Sequence, residues 1–274
     1  MYELYFDNWT DFVNRADNGS SELQPSERLS RENGESYFFG TTCWTETMML
    51  ARQGWAEGAK KMQAKLDLFT SEIPAKKMVR EYEMSRIGPG VPDLNRARMG
   101  HPEPWVMMKE YEVDDFEGSK IVKIAFNGTA SGGVTTSELF SKGALIGALV
   151  DQLEKVGKRV EVLLMLSSKG QKNELRIKVM LKKAEDHLDI DRLAFGLAHG
   201  ATLRRLGFSI YEQMPNAKRE GWSSVGGYGY CTDWDEEGCV NIRSSDMRYL
   251  ADEKSRMDWL KKQLADQGID WTAD

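Results

Sequence analysis

Ile121-Val122-Lys123-Ile124-Ala125-Phe126, then Asn127-Gly128-Thr129-Ala130-Ser131-Gly132-Gly133, then apolar residues at Leu139, Phe140, Leu145, Ile146, Leu149, Val150 and Leu153, decide how this chain is read. The first run is short, apolar and rich in β-branched residues, so it reads as a strand. The second consists of small turn formers. Thr135, Thr136 or Ser137 can then accept hydrogen bonds from the first free amides of a helix, with Glu138 in its first turn. The third set gives that helix a broad apolar face, and Gly157 is expected to stop it. Residues 159–166 are apolar enough for the inside of a sheet. Residues 174–181 alternate apolar and polar side chains, as a strand with one wet face does. The polar turn at Gly170 makes these two strands a hairpin, with the alternating one nearer an edge.

Downstream, Asp189 can cap a helix over residues 191–199, continued from Ala201 to Leu206 after Gly200. Residues 208–212 and 239–242 read as strands, and residues 250–268 as an amphipathic helix. The fold class expected is α/β: an open, mostly parallel sheet with one antiparallel edge and, from right-handed crossovers, helices on both faces. Upstream, Tyr2, Leu4 and Phe6 alternate like a short strand, and Trp9, Phe12 and Val13 suit a helix. Residues 18–35 are polar and read as a mobile loop. A helix capped by Thr42 or Thr45 is expected to break at Gly54, resume over residues 56–69 and end at Ile73-Pro74. Residues 79–84 read as a strand, and residues 87–93 and 99–105 as stiff, proline-bearing loops. The organisation expected is a smaller α-rich region, residues 1–120, packed on an α/β domain, residues 121–274, as one body.

The 274 residues carry 37 basic and 43 acidic side chains, a net charge of -6. That argues against a chain whose main task is to hold a nucleic-acid backbone. The 3 cysteines are too few and too scattered for a disulfide framework. The first residues carry acids and no apolar run, and no stretch of about 20 apolar residues occurs, so neither a signal peptide nor a membrane span is expected. The expected location is a reducing cytoplasm.

The chemistry worth weighing lies in the turn after the first-quoted strand, because ligands collect at the carboxyl ends of strands in open α/β sheets. Asn127, Thr129 and Ser131 alternate and can offer oxygens to a hard cation such as Mg2+, although Asn127 is neutral where a carboxylate would bind best. The amides of Gly132 and Gly133 can face phosphate at the helix start, but no phosphate-loop motif is present. A plain strand-to-helix turn is the third reading. Arg192, Arg204 and Arg205 form a basic group that offers anion or nucleic-acid contacts. Cys43, Cys231 and Cys239 lack zinc spacing, His101 and His199 lack a nucleophile partner, and no catalytic residue and no obligatory cofactor are expected.

From residue 121 onward the order of strand, Asn127-Gly128-Thr129-Ala130-Ser131 turn, long helix and hairpin resembles a von Willebrand factor A domain. In that fold the turn reads Asp-x-Ser-x-Ser and holds Mg2+, and the domain is usually a platform for protein contacts. Asn127 departs from that pattern. Over most of its length the chain also resembles a family of tailed-phage proteins, through Phe39-Gly40-Thr41-Thr42-Cys43-Trp44, Gly54-Trp55-Ala56-Glu57-Gly58 and the stretch from Leu188 to His199. These resemblances imply a non-enzymatic phage protein that binds another phage or host protein in the infected cell's cytoplasm or in a particle. A metal- or phosphate-dependent enzyme, or a nucleic-acid-binding factor using the same sheet edge, is the rival.

Overall fold

The computed structural model describes residues 1–32, 34, 36–70, 78–86, 91–92, 97, 104–112, 121–155, 158–223, 227–246 and 253–266. The chain divides into two compact units, one of Met1–Ile73 with Lys120–Asp274 and one of Pro74–Ser119. The division therefore differs from the boundary expected at residue 120. The physical reason is β1 (Tyr2–Phe6): it pairs in parallel with β7 (Glu174–Lys182), placing Leu4 beside Ile177 and locking the first segment into the main sheet.

In the larger unit, α1 (Trp9–Ser21) follows β1, capped by Asn8, whose Oδ1 accepts the Asp11 amide at 2.8 Å. Next come α2 (Leu29–Glu32), α3 (Ser36–Phe39), α4 (Trp44–Gln53) and α5 (Ala56–Thr70). Residues expected to form a mobile loop are thus largely helical, and Ser30 in α2 is fully buried. Cys43, rather than Thr42 or Thr45, caps α4 through its Sγ. The break at Gly54 is as expected. Its φ of 88° lies in the region that favours glycine, and a Cβ there would meet Asp191 at 2.6 Å.

The smaller unit holds β2 (Met78–Ser85), β3 (Val91–Pro92) and β4 (Trp105–Glu112), an antiparallel sheet of order β2-β4-β3. This part of the expected α-rich region is β-structure. The expected stop at Ile73-Pro74, most of the stiff loops with His101, and Gly157 lie outside the described residues.

The main sheet continues with β5 (Ile121–Asn127), α6 (Thr136–Lys155), β6 (Arg159–Lys169) and β7. Then come α7 (Ile190–Leu193), two π-helical segments at Ala194–Ala198 and Thr202–Gly207, α8 (Phe208–Glu212) and α9 (Ala217–Glu220). β8 (Val240–Ile242) and α10 (Glu253–Asp266) follow. The strand order is β1-β7-β6-β5-β8. The fold is α/β and the sheet is mostly parallel, as its sequence suggested. The antiparallel step is β7 against β6, inside the sheet, because β1 covers the edge expected for the hairpin.

Alternation sorts the strands' side chains between two faces. Val122, Ile124 and Phe126, Val160, Val162 and Leu164, and Leu175, Ile177 and Val179 enter one continuous core with α1, α4, α5 and α6. A one-residue slip in any of these strands would turn its apolar set outward. α6 is buried on all sides from Gly143 to Leu153, since the π segment Ala194–Ala198, α5 and α10 pack on it as well as β6. Among the described residues, helices were expected on both faces and contribute to the core on this one. The opposite face carries Lys123, Glu161 and Lys178, with a small cluster of Ala125, Leu163, Met165 and Trp234 under the segment leading to β8.

Residues 208–212, expected as a strand, form α8. Every one of them is buried, so the alternation that separates strand from helix is missing, and the helical geometry of the preceding π segment simply carries on.

Candidate functional site

β5 ends at Asn127, and the chain turns there into α6. The Asn127 Oδ1 accepts the Thr129 amide at 3.0 Å, closing the turn. Its Nδ2 donates to the Thr232 carbonyl at 2.9 Å and to Asp233 Oδ1 at 2.8 Å. Thr129 Oγ1 accepts the Ser167 amide of β6 at 2.8 Å, and the Ser167 hydroxyl donates to the Thr232 carbonyl. Asn127 is 2% exposed and Thr129 is 5% exposed. These groups form an interlock between β5, β6 and the segment before β8.

That geometry bears directly on the expected ligand turn. Asn127 presents its amino group, a donor, toward Asp233, and a cation needs acceptors. Ser131 is exposed, and its carbonyl accepts from Arg204 at 3.3 Å. Asn127 and Thr129 are thus buried in the interlock, while Ser131 is exposed. Among the described residues no group of three His, Cys, Asp or Glu is placed to hold a metal ion.

The basic group is dispersed. Arg205 is fully buried, over the Phe39 ring at 4.2 Å. Its Nη1 donates to the Ser30 carbonyl at 2.8 Å, its Nη2 to the Thr41 carbonyl at 3.0 Å and its Nε to Thr41 Oγ1 at 3.1 Å. Arg204 is 2% exposed, lies over Phe38 and donates to the Phe38, Ser131 and Val134 carbonyls. Burial pushes both guanidinium pKa values down from their ordinary range. Arg192 stays at the surface, 3.5 Å from Asp189, the cap of α7. The expected anion contacts at Arg204 and Arg205 are corrected: both side chains point inward and donate to backbone carbonyls and, from Arg205, to the Thr41 hydroxyl. A sequence signal existed, since Ala201, Leu203, Leu206 and Phe208 surround the pair with apolar residues, and a helix apolar all round is buried.

A cleft beside this turn was not anticipated. It is open, about 580 Å³ in volume, and its walls include Tyr37, Trp55, Thr136, Phe140 and His199, with Lys61 at its side. His199 lies between the two π segments, a local geometry often found at functional sites. Its ring stacks on Phe195 at 4.9 Å and meets Trp55 edge-on at 4.5 Å. Trp55 in turn meets Phe140 edge-on at 5.8 Å. Gly40, with a φ of 81°, backs the imidazole so closely that a Cβ would sit 3.1 Å from His199 Cε1.

Desolvation lowers the His199 pKa to about 4, with Glu46 pulling weakly the other way, so the ring is neutral at pH 7. Its Nδ1 accepts the Ala201 amide at 3.1 Å. That bond assigns the single proton to Nε2. The helix start forming the far wall is closed by a capping box: the Thr135 amide and hydroxyl donate to the Glu138 carboxylate at 2.7 and 2.8 Å. A carboxylate therefore already occupies the positive end of α6. The sequence reading placed His199 at a helix end. Its meeting with Tyr37, Trp55 and Phe140 had no local signal, because the four residues come from three distant stretches.

Fold and cleft together define an α/β protein with an aromatic cleft, edged by Lys61, where β5 passes into α6. The chain belongs to the family described as Domain of unknown function (DUF7192), whose model matches residues 1–270. No curated protein and no solved structure matches it. No helix among the described residues is long and apolar enough to cross a membrane.

Proposed function

We propose that this chain is a non-enzymatic protein-interaction module and that its partner seats an apolar side chain in the His199 cleft. The observation that carries the reading is the cleft itself: Trp55, Phe140 and Tyr37 around a neutral imidazole, with Tyr37 81% exposed at the rim. Aromatic side chains offer large contact area with little conformational entropy to lose, which is why they anchor interfaces. The phage setting, in infected-cell cytoplasm or in a particle, follows the resemblance of the segments around Phe39, Gly54 and Leu188. The run β5, turn, α6, β6, β7, with β6 and β7 as a hairpin, supports a von Willebrand A-like platform.

The rival, an enzyme or nucleic-acid-binding factor dependent on metal or phosphate, is less well supported. Glu138 holds the helix end that a phosphate would use, and Asn127 turns a donor toward the place a cation would take.

The test is affinity purification of the tagged full chain from infected cells, with mass spectrometry and a nuclease-treated control. The expected result is one protein partner retained after nuclease and reduced at least tenfold by Tyr37→Ala and by Ser137→Trp, which fills the cleft. A partner lost on nuclease treatment, or captured equally by both variants, would sink the proposal.

A further inference from the structure

A second cleft, about 270 Å³, opens beside the end of α8, between Leu23, Met214 and Ala217, with Glu212 and Ser223 in its wall. Glu212 is 5% exposed, yet every group donating to its carboxylate is neutral. The Ser30 amide donates at 2.9 Å and the Tyr228 hydroxyl at 2.7 Å to Oε1, and the Ser30 hydroxyl donates at 2.6 Å to Oε2. The Leu29 amide adds a fourth hydrogen bond, so the carboxylate is solvated by neutral donors alone. Buried charges are ordinarily paired with an opposite charge.

The charged groups around it do not supply that partner directly. Arg205 donates to the carbonyl of Ser30, the residue whose amide and hydroxyl donate to Glu212. Lys218 lies along the same cleft but is engaged with Glu27 at 3.0 Å. Burial accordingly raises the Glu212 pKa, against the pull of its hydrogen bonds from Ser30 and Tyr228. A second observation points the same way. Ser223 is 4% exposed, and its buried Oγ has no hydrogen-bond partner among the described residues.

We propose that this cleft binds an alkyl cation, an ammonium or guanidinium head on a short aliphatic stem, with the head against Glu212 and Ser223. Leu23, Met214 and Ala217 would cover the stem. The head would supply the missing countercharge to Glu212 and a donor to the Ser223 hydroxyl. Glu27 adds negative potential at the mouth, which Lys218 offsets. Because the bound cation favours ionised Glu212, affinity rises as pH is raised through the titration of that carboxyl, and binding at lower pH releases a proton.

The test titrates the full chain with butylammonium, butylguanidinium and, as the uncharged control, 1-pentanol. Amide shifts of Ser30, Met214 and Ser223 are followed by NMR at two pH values. Arginine and lysine as blocked peptides form a further arm, which distinguishes a free amine from a partner's side chain. The expected result is saturable binding of the cations and none of the alcohol. Glu212→Gln, which keeps the size and most hydrogen bonds, should weaken it at least tenfold, and Ser223→Ala several-fold. Lys218→Ala should strengthen it. No saturable shift with either cation, equal shifts with 1-pentanol, or unchanged affinity in Ser223→Ala together with a well-folded Glu212→Gln would overturn the assignment.

Discussion

Arg205 and Lys178 are both cations gripped by oxygens, on opposite sides of the same sheet. Arg205 lies within the helical side, fully buried, and its donors go to the carbonyls of Ser30 and Thr41 and to the Thr41 hydroxyl. Lys178 projects from β7 on the other side, where it bridges Glu3 at 2.9 Å and Glu236 at 2.7 Å. The first ties α2 and the loop before α4 to the second π segment. The second joins neighbouring strands and the segment before β8 through water-accessible carboxylates. The difference teaches where this molecule's stability resides. A buried donor that satisfies backbone carbonyls is irreplaceable, because its loss strands those carbonyls without water. An ion pair at the surface is screened, and water replaces it readily.

The strongest way to break this comparison is Arg205→Met, which keeps the bulk and removes every donor. Unfolding by urea at pH 7 should show a loss of about 3–5 kcal/mol, the range for stranding several buried polar groups. A loss below about 1 kcal/mol would mean that the helical side does not depend on this cross-link. His199 sharpens the comparison with pH. Its folded pKa is about 4, against 6.5 for the free side chain, so the unfolded chain binds the proton more readily. The neutral ring's stabilisation is complete above pH 6.5 and is lost as pH falls toward 4, by about 3 kcal/mol at most. In His199→Gln the same acid titration should be flatter by that amount.

Asn127→Ala removes the amide joining β5 to Thr232 and Asp233, and should lower stability by about 1–3 kcal/mol. The parent's melting temperature should be the same with Mg2+ and without it. A rise with Mg2+ that vanishes in Asn127→Ala would restore the metal reading of the turn. Lys178→Met, on the side where the partner carboxylates remain water-accessible, should change stability by no more than about 1 kcal/mol, and less still at high salt.

Much of the scaffold was legible locally. The apolar run at 121–126, the small-residue turn and the long apolar face after it gave β5 and α6 close to their observed bounds, because hydrophobic period is a short-range property. The break at Gly54 was legible for a similar reason: a glycine between two helical runs marks a backbone conformation that other residues avoid. α8 was misread as a strand because Phe208, Ile210 and Tyr211 are buried whichever element they form. The candidate sites were far less visible. Asn127, Thr129 and Ser131 suggested an ion site by spacing, while their hydrogen bonds run to Ser167, Thr232 and Asp233, more than 35 residues from the turn.

By itself, then, the order of residues determined where β5, α6, β6 and β7 start, which of their side chains face the core, and that the sheet is mostly parallel. Each of those outcomes depends on periodicity and turn chemistry within a few residues. Only the tertiary structure decided that β1 closes the sheet beside β7, that two adjacent arginines turn inward, and that Tyr37, Trp55, Phe140 and His199 share a cleft. Those outcomes depend on which distant carbonyls and rings come within hydrogen-bond or van der Waals reach, and such reach is a property of packed surfaces rather than of neighbours along the chain.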